Sequence, residues 1–428
     1  MPARAEVPHG DSTPMSDQLL VPGAFPPLPA FGVARVPRIV FGPGRISELA
    51  EIVAGLGTRA LLVTGARSLR ASPAWAWITS GLDGAGIAWE AIAVDGEPSP
   101  GLVDAAVAER RADPPDVVVG IGGGSALDAA KAIAGLLRSG TTTMDHLEGV
   151  GRGIPYPGPA TPFVAVPTTA GTGSEATKNA VLAERGPAGF KRSFRDERLV
   201  PTVALLDPDL LAGCPPALVA GDGMDALTQL IEPFTSTGAS PFSDAIAMAG
   251  MEAARDGLMA WHAAALAGAP DAVTLPARTR MSWAALCSGI SLANAGLGAV
   301  HGLVAPLGAV TGVGHGTGCG ILLAATTRAN VAALAARGDP DSPALWRYAA
   351  VGRLLTGDAS LPDADAREAL VDILAAWTVA LGLPRLSDLG VGESERALTV
   401  AGARGASMRT NPVVLTNEEL DGILRACG

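Results

Sequence analysis

Between Phe31 and about Asp209, short apolar runs rich in β-branched residues alternate with stretches whose apolar positions follow a helical period. The runs RALLVTG (Arg59 to Gly65), IAWEAIAV (Ile87 to Val94), DVVVGIG (Asp116 to Gly122), PFVAVPTT (Pro162 to Thr169) and TVALLD (Thr202 to Asp207) predict strands. Helical stretches such as PGLVDAAVAERRA separate several of them, and this alternation predicts a parallel sheet with crossover helices. After Pro208 the pattern changes. Segments of helical period beginning at Pro216, Ser243, Thr279, Ala344 and Arg367 follow one another, and strand-like alternation is nearly absent. The predicted fold class is therefore an α/β N-terminal parallel-sheet domain plus an all-α C-terminal domain, with a ligand cleft between them. The expected boundaries are a flexible N-terminal arm over 1–30, rich in Pro and small polar residues, an α/β domain over 31–209 and a helical domain over 210–428.

Two glycine-bearing loops change this picture from a fold to a binding site. In DVVVGIGGGSALDAAKAIAG a strand runs into Gly122, Gly123 and Gly124, where the missing Cβ lets backbone N–H groups approach a phosphate at a helix N-terminus. Ser125 and Asp128 also match a helix capping box, so their spacing fits both capping and ligand contact. In VPTTAGTGSE, Thr168, Thr169, Thr172 and Ser174 are interleaved with Gly171 and Gly173, which suits ribose and phosphate or a plain Ser/Thr-rich turn. Neither loop is the G-x-G-x-x-G fingerprint. Two such loops after parallel strands nevertheless make the first domain a predicted nucleotide binder.

Composition removes several classes. A net charge of -11 argues against nucleic acid as a partner. Apolar runs are broken by Gly, Pro or charge within about 18 residues, so no membrane span is expected. Cys214, Cys287, Cys319 and Cys427 have no CxxC pairing, which points to a reducing cytoplasm with each thiol buried and inert.

The stretches GGGSALDAAKA, PTTAGTGSEAT, LLDPDLLAGCPPALVAGDGMDALTQLIEPF, LANAGLGAVHG and GHGTGCGILL, in this order, resemble the iron-containing (group III) alcohol dehydrogenases, a family with the dehydroquinate-synthase-like fold. The resemblance implies an NAD(P)-binding first domain, a second domain holding a divalent metal, Fe2+ or Zn2+, and hydride transfer to or from a small alcohol or aldehyde. It carries pyrophosphate binding onto Gly122 to Ser125, cofactor contacts onto Thr168 and Thr169, and a place near the nicotinamide ribose onto Lys191, which could otherwise be a surface charge. NAD-preferring members place an aspartate just after the first strand. Here Gly65 stands there, with Arg67 and Ser68 close behind, so repulsion of a 2′-phosphate is absent and NADP(H) or dual use is favoured.

The family's metal ligands fall on Asp225, Gln229, His301 and His315. Asp225 and Gln229 are four apart on one helical face, but an amide oxygen at Gln229 is a poorer ligand than the family's histidine. Asp225, His301 and His315 would then act in catalysis through the metal. Ala305 replaces a histidine that many members use near the substrate, and Leu218 and Leu292 match substrate-lining positions. His9, His146 and His262 lie in unrelated contexts, His262 reading as a helix-surface residue. The expected activity is metal-dependent, NAD(P)-linked alcohol dehydrogenation or aldehyde reduction by a homo-oligomer. Two alternatives stay open: a maleylacetate-reductase-like enzyme using Arg192, Arg195 or Arg198 for an anionic substrate, and a dehydroquinate-synthase-like lyase.

Overall fold

In the strand β2 (Arg59–Gly65), Leu61 and Val63 belong to one buried cluster and Ala60 and Leu62 to another, the two-residue alternation of a strand covered on both faces. That accounts for a run with no polar face. The computed structural model describes residues 30–184, 189–337 and 343–428, so the arm expected over 1–30 lies outside the described residues except for Ala30. The other strands are β1 (Arg38–Phe41), β3 (Ala88–Val94), β4 (Val117–Gly122), β5 (Phe163–Pro167), β6 (Asn179–Glu184), β7 (Phe190–Arg195) and β8 (Val203–Leu206). Six of them form a sheet in the order β1-β8-β5-β4-β2-β3, parallel throughout. The helices α1 (Leu49–Ala54) and α2 (Pro73–Gly84) pack on one face, and α3 (Pro100–Arg110) and α4 (Gly124–Leu136) on the other, with the short α5 (Thr143–His146) beyond.

Five sheet strands match the expected runs. The sequence pattern missed β1, which is four residues long, and the antiparallel pair β6 and β7, which form a separate two-stranded sheet. From Pro216 onward the described residues form helices: α6 (Pro216–Thr235), α7 (Pro241–Leu266), α8 (Asp271–Ala295), α9 (Ala299–Thr311), α10 (His315–Ala336), α11 (Pro343–Thr356), α12 (Asp363–Ala380), α13 (Glu393–Gly402) and α14 (Asn417–Ala426). Their apolar faces share one buried core. One expectation is corrected here. By length and composition α10 could cross a membrane, and α8 with α9 pass the same test together although bent by 103°; 56% of the most apolar window of α10 is buried inside the protein. A core helix has the same composition as a membrane span because both replace water with apolar neighbours.

Strand β2 lies between β3, which follows it in the chain, and β4, which comes later, so the connections diverge between β2 and β4. A parallel sheet gathers its ligand loops at the carboxyl ends beside such a point. Gly65 ends β2 and Gly122 ends β4, and a Cβ built on Gly122 would lie 3.3 Å from the Gly65 nitrogen.

The second loop is held against α4 by one buried cation. Lys131 is fully buried and its Nζ donates to the carbonyl oxygens of Ser174 and Asn179, both at 2.7 Å, to Ser174 Oγ at 2.9 Å and to Thr177 Oγ1 at 3.2 Å. Burial lowers its pKa to about 8, against the pull of Asp128 and Glu175, and pushes neighbouring Glu175 up to about 7. Because the folded pKa of Glu175 exceeds its ordinary 4.5, its contribution to stability is full below 4.5 and lost as pH rises through about 7. Asp222, raised to about 7, adds a parallel loss. Glu175→Gln is therefore expected to remove part of the decline between pH 5 and 7.5, whose slope from one such group is at most about 1.4 kcal/mol per pH unit. Denaturant unfolding of both proteins at the two pH values measures the difference.

Candidate active site

A cleft of about 1670 Å³ opens between the carboxyl ends of the strands and the helical half. On the sheet side it is lined by Gly65, Ser68, Gly123, Gly124, Ser125, Asp128, Thr169, Thr172, Ser174 and Lys191. The loops fit closely: a Cβ on Gly124 would stand 2.8 Å from Thr172 Cγ2, and one on Gly123 3.3 Å from Thr169 Cγ2. Gly123 is the N-cap of α4, so the helix begins where a bound phosphate would meet free N–H groups. The capping box expected from Ser125 and Asp128 does not form. Asp128 instead accepts the Ser174 hydroxyl at 2.6 Å and lies 3.9 Å from Lys131 Nζ, tying the two loops together.

Three expected cofactor residues stand away from the cleft wall. Gly122 is buried within β4 and its carbonyl accepts from the Thr168 N–H at 3.0 Å, while the Thr168 carbonyl accepts from Cys214 Sγ at 3.4 Å. Arg67 reaches Asp95 at 3.5 Å, with both side chains mostly in solvent. Lys191, on β7, lines the cleft and pairs with Glu97.

On the helical side the cleft is lined by Leu218, Asp222, Asp225, Gln229, Leu292, His301, Ala305 and His315. Backbone proximity makes this possible. A Cβ on Gly316 would lie 2.6 Å from the Gly221 carbonyl oxygen, so the N-terminus of α10 packs directly on α6 and brings His315 beside Asp225. His301 comes from α9. Its Nε2 is 3.3 Å from Asp225 Oδ1, and His315 Nε2 is 3.8 Å from the same oxygen.

Glu232, which the sequence reading did not single out, sets the orientation of His301. It lies seven residues after Asp225 on α6, about two turns along the same face. Its Oε2 faces His301 Nδ1 at 2.7 Å and its Oε1 accepts the Val300 N–H at 2.6 Å. With the Nδ1 proton given to Glu232, Nε2 presents a lone pair to the lone pairs of Asp225 Oδ1. Asp225 Oδ1 and Gln229 Oε1 are both buried without a hydrogen-bond partner. A cation between them relieves that opposition, and nitrogen and oxygen donors suit Fe2+ or Zn2+, so the residues present fit a divalent metal.

The charges agree with this arrangement. Burial opposes ionisation of Asp225, but His315, His301 and a hydrogen bond from Gln229 hold its pKa well below the usual carboxylate range. Burial also opposes charge on His301, yet Cys319, Glu232 and Asp225 hold its pKa well above 6.5. Desolvation takes His315 down to about 4, against the pull of Asp225. Asp222 is pushed up to about 7 by burial and by Asp225, with a hydrogen bond to Thr169 working the other way.

A further donor was missed: Cys319, one turn after His315 on α10, joins Asp225, His301 and His315 in a cluster whose donor atoms all lie within 4.8 Å of one another. The spacing of four from His315 was its signal. His262 corrects another expectation, being buried rather than on the helix surface, with burial lowering its pKa. His146 is buried elsewhere, against the Ile154 carbonyl and Thr141 Oγ1.

Comparison with known proteins agrees with this geometry. Residues 37–208 match the family described as iron-containing alcohol dehydrogenase, and residues 219–428 match the C-terminal region of the Fe-containing alcohol dehydrogenase family. The chain is 32% identical over 398 residues to the probable alcohol dehydrogenase EutG of Escherichia coli (strain K12), covering 91% of this chain and 93% of that one. It is 29% identical over 396 residues to the NAD-dependent methanol dehydrogenase of Bacillus methanolicus, covering 91% and 97%. Its fold superposes on a crystal structure of 1,3-propanediol oxidoreductase with a TM-score of 0.82 at 31% identity, covering 94% of this chain and all of the other. With both halves matched and the donor cluster in place, the chain belongs to the iron-containing alcohol dehydrogenase family, oxidoreductases acting on CH–OH groups.

Proposed function

We propose that this chain interconverts an alcohol and its aldehyde with NAD(P)(H), in the cleft between sheet and helices, with a divalent ion held by Asp225, His301 and His315. The observation that carries this reading is the convergence of donor atoms of Asp225, His301 and His315 within 4.8 Å of one another, on the cleft wall opposite two glycine-bearing loops. When bound, the nicotinamide accepts or delivers hydride and the ion draws electron density from the substrate oxygen. The chain's own residues do the rest. Backbone N–H groups at Gly123 to Ser125 orient the pyrophosphate at the N-terminus of α4, and Lys191 stands on the cleft wall for the ribose.

Gly65 leaves the end of β2 without a carboxylate, and Ser68 lines the cleft beside it, which supports NADP(H) as well as NAD(H). Arg67 would have to leave Asp95 to meet a 2′-phosphate. Leu218, Leu292 and Ala305 give the substrate an apolar wall. Ala305 cannot move a proton. Asp222, on the same wall with a pKa near 7, can hold or release one near neutrality.

An anionic substrate finds less support at two of the three arginines named for it, while Arg192 lines the cleft and donates to the Lys191 carbonyl at 3.3 Å. Arg195 pairs with Glu148 at 2.7 Å, and Arg198 with Asp196 at 2.7 Å and the Pro157 carbonyl at 2.9 Å. Family membership likewise favours the dehydrogenase over the lyase.

Reduction of NAD+ and NADP+ by a panel of primary alcohols tests the reading, before chelation, after complete metal removal, and after Fe2+ or Zn2+ is returned. Turnover is expected to vanish with the metal and return with it; turnover that survives complete removal would sink the metal-assisted mechanism. Glu232→Gln is expected to weaken metal binding about 10–100-fold, the usual consequence of losing a carboxylate that orients a histidine ligand. Competition with a chromophoric chelator reads that loss directly.

A further inference from the structure

Four protein atoms, rather than three, converge at the metal position. Cys319 is fully buried on α10, its Sγ lies 3.8 Å from His301 Nε2, and its position one turn after His315 puts both side chains on one helical face. A tetrahedral ion with ligand bonds of about 2.0–2.1 Å to nitrogen, 2.0–2.2 Å to oxygen and 2.3 Å to sulfur requires neighbouring donors roughly 3.3–3.6 Å apart. The observed separations of 3.3 Å between Asp225 and His301, 3.8 Å between Asp225 and His315 and 3.8 Å between Cys319 and His301 approach it, and every other pair of the four donors lies within 4.8 Å, so the site meets it by contracting around the ion. Gln229 offers only a neutral amide oxygen, buried without a hydrogen-bond partner, and its side chain helps hold Asp225 ionised.

We propose that Cys319 is a direct ligand of the divalent ion, that its thiolate fills the corner Gln229 leaves to a weak amide, and that the Asp/His/His/Cys set selects zinc over ferrous iron. The inference rests on the metal reading above and adds a ligand to it. The chemistry balances simply: the thiol loses its proton to solvent as the metal–sulfur bond forms, and nothing is oxidised or reduced. Selectivity follows from softness. A thiolate favours zinc, whereas two histidines and a carboxylate without sulfur make the set that suits non-haem Fe2+. The other three cysteines lie outside the donor cluster.

Cobalt substitution tests this without reference to activity. The full-length protein is stripped with chelator and loaded with Co2+, and the near-ultraviolet thiolate-to-cobalt charge-transfer band is recorded for wild type, Cys319→Ser and Cys287→Ser. Zn2+ and Fe2+ affinities are measured alongside by anaerobic chelator competition. Wild type and Cys287→Ser are expected to show the band. Cys319→Ser is expected to lose it, to bind Zn2+ at least about tenfold more weakly, and to lose less affinity for Fe2+, so that the preference for zinc falls. Stoichiometric Co2+ binding by wild type without a sulfur band overturns the Cys319 assignment and leaves the three-ligand reading intact. Unchanged Zn2+ affinity in a folded Cys319→Ser protein does the same. Absence of any divalent-ion binding by wild type overturns both. If Cys319→Ser does not fold, the wild-type cobalt spectrum alone decides.

Discussion

The carboxylate of Glu232 joins α6 to α9 at the one place where the active site needs them joined. Its two oxygens take different partners, the backbone N–H of Val300 at 2.6 Å and the ring of His301 at 2.7 Å. The first contact places a negative charge in the opening turn of α9, where the helix dipole favours it. The second selects which imidazole nitrogen keeps the proton and which faces Asp225. Without this side chain, His301 would keep only its contacts with Asp225 and Cys319 on the Nε2 side, and nothing would hold Nδ1. One buried residue thus converts helix packing into a directed lone pair.

The same closeness recurs where the sheet half meets the helical half. A Cβ on Gly289 of α8 would stand 2.2 Å from the carbonyl oxygen of Gly173, and Gly173 itself has φ of +59°, so backbone packs on backbone and the conformation favours glycine. Gly221 and Gly316 do the same for α6 and α10. The first of these contacts seats the Ser174 loop against α8, and the second seats α10 against α6. Lys131 then holds the Ser174 loop from below by four hydrogen bonds, and the loop in turn holds Asp128. A ligand spanning the cleft touches loops fixed on one side by a buried cation and donors fixed on the other by a buried anion.

The two departures from the family pattern read differently once the helices are assembled. Gln229 stands where the family resemblance expects a histidine, and its side chain helps keep Asp225 ionised. Ala305 removes one proton carrier, and Asp222 supplies a titratable group on the same cleft wall. A chain can therefore change ligands while keeping the electrostatic demand of the site, a concentration of buried negative charge that asks for a cation.

Much of this protein is legible in its one-dimensional pattern, because the pattern records burial. Strands covered on both faces must be continuously apolar, helices on a shared core must repeat their apolar positions, and glycine must stand where backbone meets phosphate. Hence β2, β4, β5, α6 and the two loops could be named in advance, while Asp225, His301 and His315 are named through the family resemblance, and the structure brings their donor atoms together. Other features carry no such mark. The strand β1 is too short to show a period, and neither NAVLAE in β6 nor FKRSFR in β7 has the strict alternation or continuous apolar run of a sheet strand. Cys319 and Glu232 gain their significance from which residues of α9 and α10 they face, and His262 is buried by neighbours that its own helix does not announce. Spacing along a helix tells which side chains share a face; what that face meets depends on the packing of helices far apart in the chain.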